Sequence, residues 1–102
     1  MMGLFKPNIQ KMEREKDVDG LLKLLRNEDP ALRANAARAL GCIGAKRALK
    51  PLEDCLRDIQ NRLWAAESRA LRFGEDEKAI RERRLLTIYR QDVADALTKL
   101  ES

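Results

Sequence analysis

The sequence offers few side chains that could perform chemistry, and its two cysteines are the most reactive of them. Cys42 and Cys55 lie thirteen positions apart, and the chain contains no histidine. Without an imidazole there is no ordinary general base near neutral pH, and two such thiols make a poor zinc site. A disulfide would need an oxidising compartment. Because free cysteines are usually buried, we expect two reduced thiols in a helical core.

The hydroxyl and carboxylate groups show no catalytic arrangement either. Four hydroxyl side chains are candidate nucleophiles: Ser68, Thr87, Thr98 and Ser102. None of them lies in a Gly-x-Ser-x-Gly turn, and there is no phosphate-binding glycine loop followed by Lys-Ser/Thr. The adjacent acids Glu53 and Asp54 have Lys50 and Arg57 within one helical turn, which favours ion pairing along a helix. We therefore expect a protein that is not an enzyme and needs no cofactor or metal.

Composition predicts one all-α domain. The chain has 102 residues, of which 44% are hydrophobic and 37% charged, with a net charge of +4. Leu, Ala, Arg, Lys and Glu dominate, and these residues favour helices. No stretch is long and apolar enough to span a membrane, and the first residues lack the features of a secretory leader. The composition thus predicts a soluble, cytoplasmic protein.

Capping residues divide the first half of the chain into helices. Asn8 and Asp17 are candidate N-caps, and Asp29 followed by Pro30 is the clearest helix start, because proline tolerates the first helical position. Gly44 is the expected left-handed cap that ends this helix.

The second half of the chain leaves two structural alternatives open. Pro51 falls inside a predicted helix over 45–58, so either the helix kinks there or it begins only near Lys50. A separate helix is predicted over 61–73, with an inward apolar stripe of Leu63, Ala66, Ala70 and Phe73, ending at Gly74. From residue 75 onwards the chain forms either one long helix or two, and a capping-like Asp92 favours a break near Gln91.

An internal repeat connects these helices. Residues 32–40 match residues 63–71 at a spacing of 31, through pairs such as Leu40 and Leu71. Two-helix repeats of this length cannot bury their apolar faces alone and must stack.

Within the repeat the residues resemble the HEAT-like repeat of the phycobilin-lyase type. That pattern reads Asp-x-x-Val-Arg, Ala-Ala, Ala-Leu-Gly-x-Ile-Gly and Arg-Ala-x-x-Pro-Leu, so it includes the proline in the second helix. The matching residues are Asp29, Arg33, Ala36-Ala37, Ala39-Leu40-Gly41, Ile43-Gly44, Arg47-Ala48 and Pro51-Leu52.

The resemblance implies a short right-handed α-α superhelix of about two and a half to three helical hairpins. We expect a single domain over 1–102, with a first hairpin over 8–28, the best-matching repeat over 29–58 and a divergent repeat or cap over 59–102. The family's contact between loop and first helix would join Asp29 to Arg33, and its equivalent at Gln60 and Trp64 is lost. The resemblance also implies that the chain binds a partner.

In such a stack the second helices line a concave face, which here carries more basic than acidic residues. Trp64 has two alternative roles: it packs under the last helix, or it is a partly exposed anchor for a partner. The candidate partner-binding residues are Lys23, Lys46, Arg47, Lys50, Arg57 and Trp64.

Three hypotheses about function follow. The first is a non-catalytic scaffold or adaptor that binds a protein partner, with a homodimer as one way to cover the open ends of so short a stack. The second, weaker hypothesis is binding of a nucleic-acid backbone through basic helix faces, including a cluster at Arg81, Arg83 and Arg84. The third, by analogy alone, is an accessory subunit of a chromophore-lyase-like modification complex.

Overall fold

A computed structural model describes residues 7–102, and this part of the chain is all-α. Its helices are α1 (Ile9–Arg14), α2 (Val18–Leu24), α3 (Pro30–Ile43), α4 (Leu49–Phe73) and α5 (Glu77–Glu101), with a 3-10 turn at Lys46–Ala48 before α4. No strand occurs between residues 7 and 102. The predicted fold class, a small stack of helical hairpins, is confirmed. The residues before Pro7 lie outside the described chain.

The predicted helix caps explain where the first helices begin and end. The carboxylate of Asp17 accepts a hydrogen bond from the Gly20 amide at 3.0 Å, and that of Asp29 accepts one from Ala31 at 2.9 Å. Each bond satisfies an amide that the first helical turn leaves unpaired. Gly44 ends α3 with a φ of 79°, a left-handed conformation that glycine adopts without steric cost.

Of the two alternatives predicted for Pro51, a kink or a late helix start, the structure has the late start. α4 begins at Leu49, after the short 3-10 turn, so Pro51 is the third residue of the helix. Amides in the first helical turn have no intrahelical partner, and the missing N–H of proline therefore costs little at this position.

The predicted break between the helices over 45–58 and 61–73 is wrong, because α4 runs without interruption through residues 59–61. Of the two alternatives for the C-terminal segment, the structure has one long helix, α5, which runs through Gln91 and Asp92. The carboxylate of Asp58, just before the expected break in α4, pairs with Arg33 and Arg62. In α5 one apolar stripe continues across Asp92, from Leu86 and Tyr89 to the buried Val93, and keeps the helix against its neighbours.

The core forms where the C-terminal half of α5 packs on α3 and on the first half of α4. Its fully buried large side chains are Leu21, Leu40, Leu52, Ile59, Val93 and Leu100. α3 and α5 approach each other closely at Gly41, where an added Cβ would lie only 3.1 Å from the Cα of Ala96. The Lys46 ammonium donates a hydrogen bond to the carbonyl of Leu100 and so caps the C-terminus of α5.

α4 and α5 form a long antiparallel hairpin, and its far half lies outside this core. The buried positions of α4 end at Leu63, and those of α5 begin at Val93. Residues 64–89, called the arm here, comprise two helix segments and a turn; Leu86 and Tyr89 at its base pack against the core, and its outer residues pack mainly on each other. An isolated helical pair of this kind buries only the side of each helix that faces the other.

Candidate protein-docking surface

The basic residues predicted on the polar face are mostly engaged within the chain. Arg47 forms an ion pair with Asp19 at 2.8 Å, while Lys50 and Arg57 share the carboxylate of Asp54 at 3.4 and 3.3 Å. These pairs are exposed, so each contributes little to stability, but they reduce the positive potential of the face.

The other two lysines of this face have different surroundings. Lys46 caps α5, as described above, and its ammonium also lies 3.4 Å from the Ser102 carbonyl. Lys23 is exposed on α2, beside a groove that also contains Arg26 and Asp54. The structure therefore brings Lys23, Lys50 and Arg57 to one surface, whereas the Lys46 ammonium lies at the C-terminus of α5.

Arg33 is the one charged residue between positions 7 and 102 that is buried. Its Nη1 donates to the carboxylate of Asp58 on α4, and its Nε donates to the carbonyl of Asn27 in the preceding loop. The expected contact between Asp29 and Arg33 is therefore wrong. Asp29 caps α3 through the Ala31 amide, and Arg33 instead ties the α2–α3 loop to α4.

The two cysteines lie in different environments. Cys55 is buried beside Arg33, as predicted, whereas Cys42 is exposed, so the prediction of two buried thiols is wrong for Cys42. Cys42 lies in the last turn of α3, where it lines a groove between α1 and α3. Burial raises the pKa of the Cys55 thiol, and the attraction of the Arg33 guanidinium opposes that increase without cancelling it.

This difference predicts selective labelling by a thiol reagent. We expect iodoacetamide at neutral pH to modify Cys42 quickly and Cys55 only after denaturation, because the thiolate is the reactive form and burial both hides Cys55 and disfavours its thiolate. Peptide mass spectrometry of native and urea-treated protein measures both sites. A Cys42→Ser variant should take up no label while folded, and rapid labelling of that variant would contradict the placement of Cys55.

Trp64 is 70% exposed, so the alternative in which it packs under the last helix is wrong. The stripe predicted for this segment also placed Phe73 inside, yet Phe73 is 79% exposed. α3 begins at Pro30, beside the base of the arm, so only α5 is available to cover the outer part of α4. Within residues 7–102 every exposed large hydrophobic side chain lies on the arm: Trp64, Leu71, Phe73, Leu85 and Ile88.

One side of the arm, the Trp64 flank, consists of Trp64, Ser68 and Leu71. Ser68 and Leu71 lie four and seven positions after Trp64 along α4, so all three residues lie on the same side of the helix. They line a shallow groove with Glu75 and Arg83 at its end. Arg83 holds the turn of the arm through two hydrogen bonds to Glu75, at 2.7 and 2.8 Å, which lower the pKa of that carboxyl.

The opposite side, the Leu85 flank, carries apolar and charged residues in alternation. Phe73 is nine residues after Trp64, which places it about 180° around α4. The flank consists of Arg62, Ala66, Arg69 and Phe73 on α4 and of Lys78, Glu82, Leu85 and Tyr89 on α5, with Asp29 and Pro30 at the start of α3 lining its base. Two surfaces therefore flank the arm, and each combines exposed apolar side chains with charged ones.

The family model for HEAT repeats matches residues 8–72. That match covers more than half of the chain and spans α1, α2, α3 and nearly all of α4, so the chain belongs to the HEAT-repeat family. Proteins of this family generally mediate interactions with other proteins. No curated protein and no solved structure matches the chain.

Two further features bear on the kind of site. Between residues 7 and 102 there is no cluster of three or more Cys, Asp or Glu side chains that could hold a metal ion. None of the helices in the same range combines the length and apolar character needed to cross a membrane.

Sequence reasoning named Trp64 as a candidate but did not name the exposed apolar residues around it. Leu71, Phe73 and Leu85 were not among the predicted site residues. One signal was available, because Leu71 lies seven residues after Trp64 and therefore shares its side of the helix. The exposure of these residues depends on where α3 lies relative to α4, which periodicity does not reveal.

Proposed function

We propose that this chain is a non-catalytic interaction module that docks a protein partner on the Trp64 flank of the arm. The observation that carries the proposal is the confinement of the exposed large hydrophobics between residues 7 and 102 to the arm. Scattered exposed apolar residues are normal on a protein surface, whereas a concentration on one projection is typical of a binding site. Tryptophan is also among the residues that most often dominate binding energies.

The geometry of the flank favours a helical partner. Trp64 and Leu71 are separated by two helical turns, about 10 Å along α4. A partner helix with apolar side chains at matching positions could place one against each, as in other complexes of a helix with an apolar groove. Glu67 is exposed next to these two residues and would favour a cation at the edge of the contact.

The polar face of the second helices is proposed as a secondary contact. Lys23, Lys50 and Arg57 remain exposed there, and charged residues at the edge of an interface act mainly on the rate of association. The nucleic-acid hypothesis gains no support from this face, since Arg47, Lys50 and Arg57 already pair with aspartates.

The experiment is comparative affinity capture from native lysate. We expect the wild type to retain at least one protein that a Trp64→Ala, Leu71→Ala double variant loses, because the substitutions remove both anchors without touching the core. The matched control is an Arg38→Ala, Lys99→Ala double variant at two exposed positions outside the Trp64 flank and the polar face, which should still capture the same protein. Equal recovery by the wild type and the Trp64/Leu71 variant would contradict docking on this flank.

The finer resemblance, to repeats of the phycobilin-lyase type, would make the chain an accessory subunit of a protein-modification complex. That proposal rests on family analogy, and it predicts a modifying enzyme among the proteins captured.

A further inference from the structure

The outer part of the arm, residues 67–85, is held together by few apolar contacts and is called the outer arm here. No residue in this range is buried, and its half-buried apolar residues are Ala70, Ala79 and Ile80. In the core, by contrast, six large aliphatic side chains are fully buried. Because hydrophobic stabilisation scales with the apolar area removed from water, two alanines and one isoleucine contribute little to holding the two helices together.

The helical form of the outer arm depends on local interactions instead. Arginine and glutamate are its most frequent residues, and both favour helices. The carboxylate of Asp76 starts α5 by accepting a hydrogen bond from the Ala79 amide at 2.8 Å. None of these interactions joins α5 to α4, so they do not keep the hairpin closed.

Arg83 is the side chain that connects α5 to the turn and to α4. Its Nε and Nη2 donate to the two carboxylate oxygens of Glu75, a bidentate arrangement that is stronger and more directional than a single hydrogen bond. These hydrogen bonds and, more weakly, the charge of Glu67 on α4 raise the pKa of Arg83. Among the residues that the structure describes, no other ion pair lies in the outer arm.

The position of Glu75 depends in turn on a glycine. Gly74 has a φ of 77° and a ψ of 179°, a conformation that other residues rarely adopt. It leads the chain from the end of α4 to Glu75, whose half-buried carboxylate lies against Arg83. If the Arg83 side chain were removed, only the small apolar contacts between α4 and α5 would oppose their separation.

We propose that the outer arm opens as a unit while the core stays folded, and that the Arg83–Glu75 pair is the latch that keeps it closed. Proteins open locally, with free energies below that of global unfolding, where buried apolar contacts are few. Glu75 and Arg83 also line the end of the groove that contains Trp64 and Leu71, so opening dismantles this groove. The consequence for binding rests on the proposed function: only the closed arm presents the groove to the partner.

Hydrogen exchange of the full chain, measured residue by residue, tests the opening without any partner. After correction for intrinsic rates, helical amides of the outer arm should exchange at least about tenfold faster than the amides of residues 36–41 in the core, yet more slowly than in an unfolded chain. Arg83→Met removes both hydrogen bonds of the latch. It should accelerate exchange of the outer arm about 3- to 10-fold and leave the core unchanged.

Arg57→Met is the matched control. It makes the same substitution at an exposed ion pair of α4 that lies outside the outer arm, so exchange of the outer arm should remain as in the wild type. Three outcomes would overturn the inference: an outer arm protected as strongly as the core, an outer arm with no protection, and an Arg83→Met variant that exchanges like the wild type.

A captured partner tests the link between closure and binding. At ten times its Kd, the partner should slow exchange of the outer arm about tenfold, because it binds the closed form alone. Unchanged exchange in the bound state would overturn that link. Loss of Trp64-dependent capture with the expected exchange pattern removes the proposed function and leaves the opening intact, whereas uniform protection with intact capture removes this inference alone.

Discussion

Replacing Gly41 by leucine is expected to separate α5 from α3 and to lower the free energy of unfolding by about 3 kcal/mol, the upper end of the usual range for overpacking a core. A Cβ at this position would lie 3.1 Å from the Cα and 3.2 Å from the Cβ of Ala96. The obstructing atoms belong to the α5 backbone, which cannot rotate away as a flexible side chain could. The rest of the leucine side chain has no space unless the two helices move apart.

Urea unfolding and hydrogen exchange of the α5 amides measure this effect. Cys42→Leu is the matched control, since it places the same side chain at the next position of α3, where it is exposed. That control should unfold at nearly the wild-type urea concentration. If Gly41→Leu did so as well, with the α5 amides still protected, the close packing of α5 on α3 would be contradicted.

The second large effect is expected for Leu40→Ala. Leu40 is fully buried among residues of α2, α4 and α5, and its truncation leaves a cavity that close-packed neighbours fill only in part. Leucine-to-alanine changes at such sites cost about 3–5 kcal/mol, a large share of the 5–15 kcal/mol that stabilises a typical domain.

Leu71→Ala offers the same chemical change at a helical position that is 90% exposed, and it should alter stability by no more than about 0.5 kcal/mol. Chemical denaturation of both variants gives the comparison. A similar loss of unfolding free energy in the Leu40→Ala and Leu71→Ala variants would mean that Leu71 is buried in the folded protein. The arm would then not be a free surface.

The local features of this fold could be predicted from sequence because each depends on one or two residues. Asp17, Asp29 and Gly44 start and stop helices through their own side-chain or backbone chemistry. Pro51 required either a kinked helix over 45–58 or a helix that begins only near Lys50, and α4 begins at Leu49. The apolar stripe of α5 from Leu86 to Leu100 also follows from spacing alone.

The features that could not be predicted depend on packing between distant segments. Arg33 could bond to the neighbouring Asp29 or to Asp58, and the choice follows from how α3 and α4 cross. Periodicity likewise placed Phe73 on an inward stripe, but no helix is present to cover it. The surface of the arm results from this mismatch in helix length.

The central claim is that the arm binds a protein partner through Trp64 and Leu71 while contributing little to the stability of the helical stack. The most direct test is calorimetric titration of a captured partner into the wild type and into the Trp64→Ala, Leu71→Ala variant, with urea unfolding of both. We predict a loss of affinity of about 10- to 100-fold, as for the removal of binding anchors, at an unchanged unfolding midpoint. Equal affinity for both proteins, or a loss that accompanies a lower unfolding midpoint, would contradict the claim.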